Sequence, residues 1–264
     1  MTTTQNPLRP VVVSFSGHDP CGGAGIQADI EAITSHHCHA ASIITCLTAQ
    51  DTKNVAEIMP QNPDKIRQQA KMLLQDLPVH AFKIGLIGHE DTVQVIYDIV
   101  HKYPLIPLIL DPILTAGGGT NLANDTLIAA MKELLLPLTT VLTPNCNEAR
   151  RLTGLDDIDT CGITLSENFG SEYVLITGAD EATESVENRL FHNHHKDSFT
   201  WARLPSIYHG SGCTLSASIA ALLAHGVPPI RAISNAQEYT WHTLQVAYKT
   251  GAGQSNPNRF FWRD

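Results

Sequence analysis

Short β-branched runs that break at glycine or Asp-Pro alternate with helix-length amphipathic stretches, and this alternation constrains the fold more than any other feature. The runs Val11 to Ser16, Ser42 to Leu47, Val55 to Met59, Ala81 to Ile84, Pro107 to Leu110, Thr140 to Leu142 and Tyr173 to Ile176 read as strands. Between them, Ile26 to Ser35, Asp64 to Gln75, Asp91 to Lys102, Ala123 to Leu135 and Asn147 to Thr153 read as helices, the last closed by Gly154. Ile66, Ala70, Leu73, Leu74 and Leu77 share one face of the second. Glu184 to Pro205 reads as a polar hairpin, and helices over Gly212 to His225 and Pro229 to Lys249 end the pattern. The expectation is one doubly wound α/β domain over 11–264, with residues 1–10 as a flexible N-terminus. Ligands of such sheets bind beyond the carboxyl ends of the strands, where Gly17, Gly85, Asp111, Pro144 and Gly178 fall.

Composition narrows the function. A net charge of -9 argues against nucleic acid or an anionic membrane as the partner. The opening residues lack the apolar core of a secretory signal, and the run Ala40 to Ala49 is too short to span a bilayer. A soluble cytoplasmic protein is expected. Cysteines 21, 38, 46, 146, 161 and 213 are scattered without a CxxC pair, which reads as reduced thiols.

His209-Gly210-Ser211-Gly212-Cys213-Thr214 opens an apolar stretch, Leu215 to Ala224. Gly210 and Gly212 permit a tight turn, and the first helical amides then point outward without partners, with the helix dipole behind them. That is a pocket for an anion. Cys213 lies within it, where positive potential lowers a thiol pKa and favours thiolate. A base beside an anion pocket suits phosphoryl transfer; a Gly-rich cap on a buried helix is the plainer alternative.

A second glycine-rich turn, residues 16–25, joins the first strand to its helix but lacks both the dinucleotide fingerprint and the Walker ending. In Thr143-Pro144-Asn145-Cys146-Asn147-Glu148, Asn145 and Glu148 lie three apart at a helix start. They suit Mg²⁺ held against phosphates, in part through water, and equally a capping box; the two roles are compatible. The tracts His36-His37-Cys38-His39 and His192-Asn193-His194-His195 fall where turns are expected and read as solvated loops.

Taken together, SGHDPCGGAGIQAD (16–29), ITCLTAQDT (44–52), KIGLIG (83–88), LDPIL (110–114), LLPLTTVLTPNCNEA (135–149) and HGSGCTLSASIAALLA (209–224) resemble the hydroxymethylpyrimidine/phosphomethylpyrimidine kinases of thiamine biosynthesis, within the ribokinase-like superfamily. The tail from Gly251 through Arg259-Phe260-Phe261-Trp262 is similar to that family's ending. The resemblance implies a three-layer α/β/α fold with a central, mostly parallel sheet, ATP as co-substrate, Mg²⁺, a small pyrimidine substrate and a homodimer. It implies that Cys213 stands where most ribokinase relatives have an aspartate base, with Gly210, Ser211 and Gly212 forming the anion hole. It further implies that Gln50 bonds the aminopyrimidine, that Ala24 and Asp29 lie close to the substrate, and that Leu86 and Ile113 sandwich the ring. Asp111, Asn145, Glu148 and the Thr177 position match the Mg·ATP-phosphate region.

One departure stands out. The family usually has a lysine followed by Gly-Gly-His after the strand 174–176, whereas this chain reads Thr177-Gly178-Ala179-Asp180. A cation expected near the nucleotide phosphates is absent, a loss that could cost ~10²-fold in rate. The alternatives are a pyridoxal-type kinase on the same fold, or a kinase-like pyrimidine-binding protein with reduced turnover.

Overall fold

The computed structural model describes residues 9–263, so most of the N-terminal stretch expected to be flexible, residues 1–8, lies outside the described residues. Its strands are β1 (Val11–His18), β2 (His39–Gln50), β3 (Val55–Pro60), β4 (Val79–Ile84), β5 (Leu108–Leu110), β6 (Val141–Leu142), β7 (Tyr173–Ile176), β8 (Ser185–His192) and β9 (His195–Ala202). Its α-helices are α1 (Gly25–Ser35), α2 (Pro63–Asp76), α3 (Glu90–Val100), α4 (Asp125–Ala130), α5 (Cys146–Thr153), α6 (Ile158–Ile163), α7 (Ser211–Ala224) and α8 (Pro229–Gln245).

The strands form one sheet in the order β3-β2-β1-β4-β5-β6-β7-β8-β9. From β2 across to β7 the pairing is parallel; β3 at one edge and β8 and β9 at the other are antiparallel. Alternation along the strands splits the core into two faces. Val11, Val13, Phe15, Phe82, Leu110 and Ile176 pack with Ile66 of α2, Val93 of α3 and Leu152 of α5. Val12, Ala81, Ile109, Val141 and Leu175 point the other way, onto Ile33 of α1, Ile219 of α7 and Ile233 of α8. These are the three layers that the resemblance implies.

Several limits differ from those the sequence suggests. β2 runs on to Gln50 because β3 pairs with it through Gln50–Val55, which carries Gln50 to the ligand end of the sheet. The stretch 123–135 divides into α4 and a wider π-helical turn, Met131–Leu135. α8 stops at Gln245, four residues early, because Tyr248 turns away to pair with Asn256. Helix α6, capped by Asp157, has no counterpart in the sequence reading, since its single turn and a half is too short to show a period.

The first histidine tract departs from the solvated loop that its sequence suggests, whereas the second makes the expected turn. His36 is not solvated: it donates to or accepts from Ser218 at 2.6 Å and lies against the Tyr239 ring at 4.5 Å. Burial pushes it down to about 4. In the second tract Asn193 and His194, both with positive φ, make the two-residue turn between β8 and β9.

Candidate active site

A cavity of about 270 Å³ opens at the carboxyl ends of β1, β4, β5, β6 and β7, where the doubly wound pattern places it. Two glycine-bearing turns form one wall. Gly210 caps α7 with φ 80°, and a Cβ there would stand 2.0 Å from the carbonyl oxygen of Gly23, so only glycine fits. The amides of Ser211, Gly212 and Cys213 donate to no acceptor among the described residues and border the cavity. A fourteen-residue helix stands behind them, and such a helix start can hold an anion.

Asp19 ties this segment to the β1–α1 turn. One carboxylate oxygen accepts from the Cys21 amide at 2.7 Å; the other accepts from the Ala24 amide at 2.8 Å and faces His209 Nε2 at 3.0 Å. Those bonds hold the Asp19 carboxyl below its ordinary range against the opposing effect of burial. Neither Asp19 nor His209 carries a role in the sequence reading, because the pair spans 190 residues.

Cys213 lies at the cavity wall, 5 % exposed. Its ionisation differs from the expectation. Burial pushes the thiol up to about 12, the nearby Asp111 and Asp29 push it the same way, and Lys83 and the Gly25 amide only partly oppose them. The helix dipole was the local signal; loss of solvent outweighs it. Burial therefore favours the thiol over the thiolate.

Asp29 is also displaced from its expected place. It is fully buried below the cavity floor rather than lining it, bonded to Ser14 Oγ at 2.6 Å and paired with Lys83 Nζ at 2.9 Å. Burial disfavours the Lys83 ammonium, but the Asp29 carboxylate, with Asp111 nearby, holds it protonated beyond its usual range. The sequence reading missed Lys83, although a lysine inside the apolar strand 81–84 was a signal of a buried partner.

The remaining expected residues do converge. Ala24, Gln50, Leu86, Ile113, Asp111, Asn145, Glu148 and Thr177 all line the cavity with the 210–213 segment. Leu86 packs with Cys46, Val55 and Leu122, and Ile113 joins them, giving that end an apolar slot. The Gln50 side-chain amide makes no hydrogen bond among the described residues. Asp111 Oδ2 accepts from Ser216 Oγ of α7 at 3.2 Å. Burial pushes the Asp111 carboxyl up to about 6.

Asn145 and Glu148 form the capping box of α5: Asn145 Oδ1 accepts from the Glu148 amide at 2.8 Å, and Glu148 Oε2 accepts from the Asn145 amide at 2.9 Å. Glu148 Oε1 also accepts from the Leu114 amide at 3.2 Å. Burial pushes Glu148 up to about 8, and the charge of Asp111 adds to the shift. Two buried carboxyl groups line the cavity, the charge of Asp111 raising Glu148, and oxygen donors of this kind fit a hard divalent cation. Thr177 forms a parallel bridge with Asn145, and the Asp180 carboxylate accepts from the Cys146 and Asn147 amides at 3.3 and 2.9 Å. Among the described residues, no lysine or arginine lines the cavity.

No helix among the described residues is long and apolar enough to cross a membrane. Residues 19–258 match the family model described as phosphomethylpyrimidine kinase. The hydroxymethylpyrimidine/phosphomethylpyrimidine kinase of Rhizobium meliloti (strain 1021) is 34% identical over 272 residues, covering 97% of this chain and all 100% of that protein. The fold is similar to the ADP complex of Bacillus subtilis pyridoxal kinase, with TM-score 0.89, 26% identity, and coverage of 97% of this chain and 99% of that one. It is also similar to the phosphomethylpyrimidine kinase of Clostridium difficile 630, with TM-score 0.77, 28% identity, and coverage of 88% and 98%. With the family model spanning nearly the whole chain and its motifs meeting around one cavity, the chain belongs to the phosphomethylpyrimidine kinase family of ribokinase-like phosphotransferases.

Proposed function

We propose that the chain transfers the γ-phosphoryl group of ATP to the hydroxymethyl oxygen of 4-amino-5-hydroxymethyl-2-methylpyrimidine, to the phosphate of its monophosphate, or to both. One observation carries this reading. The Gln50 side-chain amide, without a partner among the described residues, and the apolar Leu86 and Ile113 line the same cavity as Cys213 and the open amides of 211–213.

A flat ring between Leu86 and Ile113 would bury its faces, while Gln50 offers a donor and an acceptor to an amino group beside a ring nitrogen. This seats the hydroxymethyl arm toward Cys213. Phosphoryl transfer is loose, and the attacking hydroxyl keeps its proton until late, so a thiol that orients the hydroxyl serves the early part of the reaction. The amides of 211–213 take the charge on the equatorial phosphoryl oxygens without having to reorganise. As the oxygen–phosphorus bond forms, the bond from the γ-phosphorus to ADP breaks. Lys83, below the floor, offsets the charge of Asp29 and favours the minor thiolate form of Cys213, the form that can take the departing hydroxyl proton and so return to the thiol. Asn145 and Glu148 would hold Mg²⁺, in part through water, and with Asp111 nearby the ion would offset the nucleotide phosphates.

A coupled ADP-release assay with each pyrimidine tests the reading; a folded chain that turns over neither would sink it. A second reading has its own support, since Bacillus subtilis pyridoxal kinase shares the fold at TM-score 0.89. Pyridoxal presents the same hydroxymethyl arm on a flat ring. Competition between pyridoxal and the pyrimidine decides between them.

A further inference from the structure

The geometry points to Arg259 as a positioning residue for phosphoryl transfer, joining the β1–α1 turn to the start of α7. It rests on the reading that residues 210–213 hold the migrating group. Arg259 is 1 % exposed and does not line the cavity. Its Nε donates to Thr214 Oγ1 at 2.9 Å, its Nη2 to the carbonyl of Gly23, and its Nη1 to Glu31 at 2.9 Å. Thr214 follows Cys213 and Gly23 precedes Ala24, so one rigid guanidinium spans the two segments that face each other at the cavity wall. Tyr239 fixes the tail itself, its hydroxyl donating to the Arg259 carbonyl at 2.7 Å.

The spacing that Arg259 sets is critical. At Gly210 the two backbones already approach so closely that a Cβ would meet Gly23 at 2.0 Å. On the cavity side the same two segments are joined by Asp19 and His209, so the anion pocket is held both before Gly210 and after Cys213. Stability alone does not call for such a group, because a buried charge, here with a carboxylate partner that stays partly exposed, is often no better than apolar side chains of the same volume. A planar donor fork does what apolar packing cannot: it fixes a carbonyl, a hydroxyl and a carboxylate in one plane. A shift of the anion pocket by about 1 Å is enough to cost ~10²-fold in rate.

The test compares Arg259→Ala and Arg259→Lys with the full-length parent, well below each unfolding midpoint. For Arg259→Ala, kcat is expected to fall about 10²-fold, with KM for ATP and for the pyrimidine within about twofold of the parent. Millimolar guanidinium should restore kcat where ethylammonium does not. Arg259→Lys keeps the charge without the fork and should lie between; it carries the test if the alanine variant does not fold. A kcat within about twofold of the parent overturns the proposal, as do KM values that rise in step with the loss of kcat. Hydrogen exchange reads it without turnover, so failure of the functional reading remains distinguishable. The amides of Thr214 and Leu215 should lose protection while those of Ala220 to Ala224 keep theirs; unchanged protection at 214–215 overturns the proposal.

Discussion

Asp180 accepts from the Asn147 amide at 2.9 Å, so the N-terminus of α5 is closed by a carboxylate from the loop after β7. That carboxylate lines the same cavity as Glu148 and Asp111, and its charge adds to the upward shift of Glu148. Among the described residues no lysine or arginine lines the cavity to offset that charge. Asp180→Asn keeps the cap and removes the charge, so KM for ATP should fall about two- to fivefold with kcat little changed. Thr177→Lys should lower the same KM or raise kcat by up to ~10²-fold. If neither constant moves in either variant, the nucleotide phosphates do not reach this end.

Cys213→Ala should lower kcat by about 10²- to 10⁴-fold while leaving KM for the pyrimidine almost unchanged. Because burial pushes the thiol up to about 12, alkylation of Cys213 in the ligand-free protein should be slow at neutral pH. Its rate should climb without a plateau up to about pH 9. A plateau near neutrality would restore the thiolate that the helix terminus alone suggests.

Glu148 makes stability depend on pH with a defined sign. Its folded-state value, about 8, lies above the ordinary 4.5, so between those limits the folded protein holds a proton that the unfolded chain releases. Stability is therefore full below about 4.5 and drains as the pH rises toward 8. Glu148→Gln removes that loss. Its melting temperature should exceed the parent's at pH 8 and converge with it near 4.5, even as activity falls. Equal midpoints at both values would mean that Glu148 is ionised in the ligand-free protein.

Gln50→Leu should raise KM for the pyrimidine about 10- to 10²-fold, since the ring's polar edge would then lose its partner on leaving water. KM for ATP should not change. Thermal stability should hold as well, because the amide has no partner to lose among the described residues. A pyrimidine KM equal to the parent's would remove Gln50 from the substrate site.

β1, β4, β5 and β7 were legible because each is apolar and ends beside a glycine or Asp-Pro; Val11, Val13 and Phe15 facing one helical layer and Val12 the other is what period-two alternation gives. α5 was legible from its caps, Asn145 and Gly154. The short α6 and the Gln50 end of β2 were not, because neither a turn and a half nor an edge-strand pairing leaves a periodic mark. Within the site, residues carried by a local motif (Gly210 to Cys213, Asn145, Glu148, Asp111) converge as their spacing suggests. Asp29 does not reach the cavity, since Lys83 draws it into the floor.

By itself, then, the order of residues determined the layered sheet, the ligand end of that sheet and the two glycine turns, all of which depend on neighbours a few positions apart. Only the tertiary structure decided the ionisation of Cys213 and Glu148, the burial of the Asp29–Lys83 pair and the reach of Arg259 across to Gly23. Those depend on how much water is excluded and which distant charges meet. Local backbone geometry fixes neither.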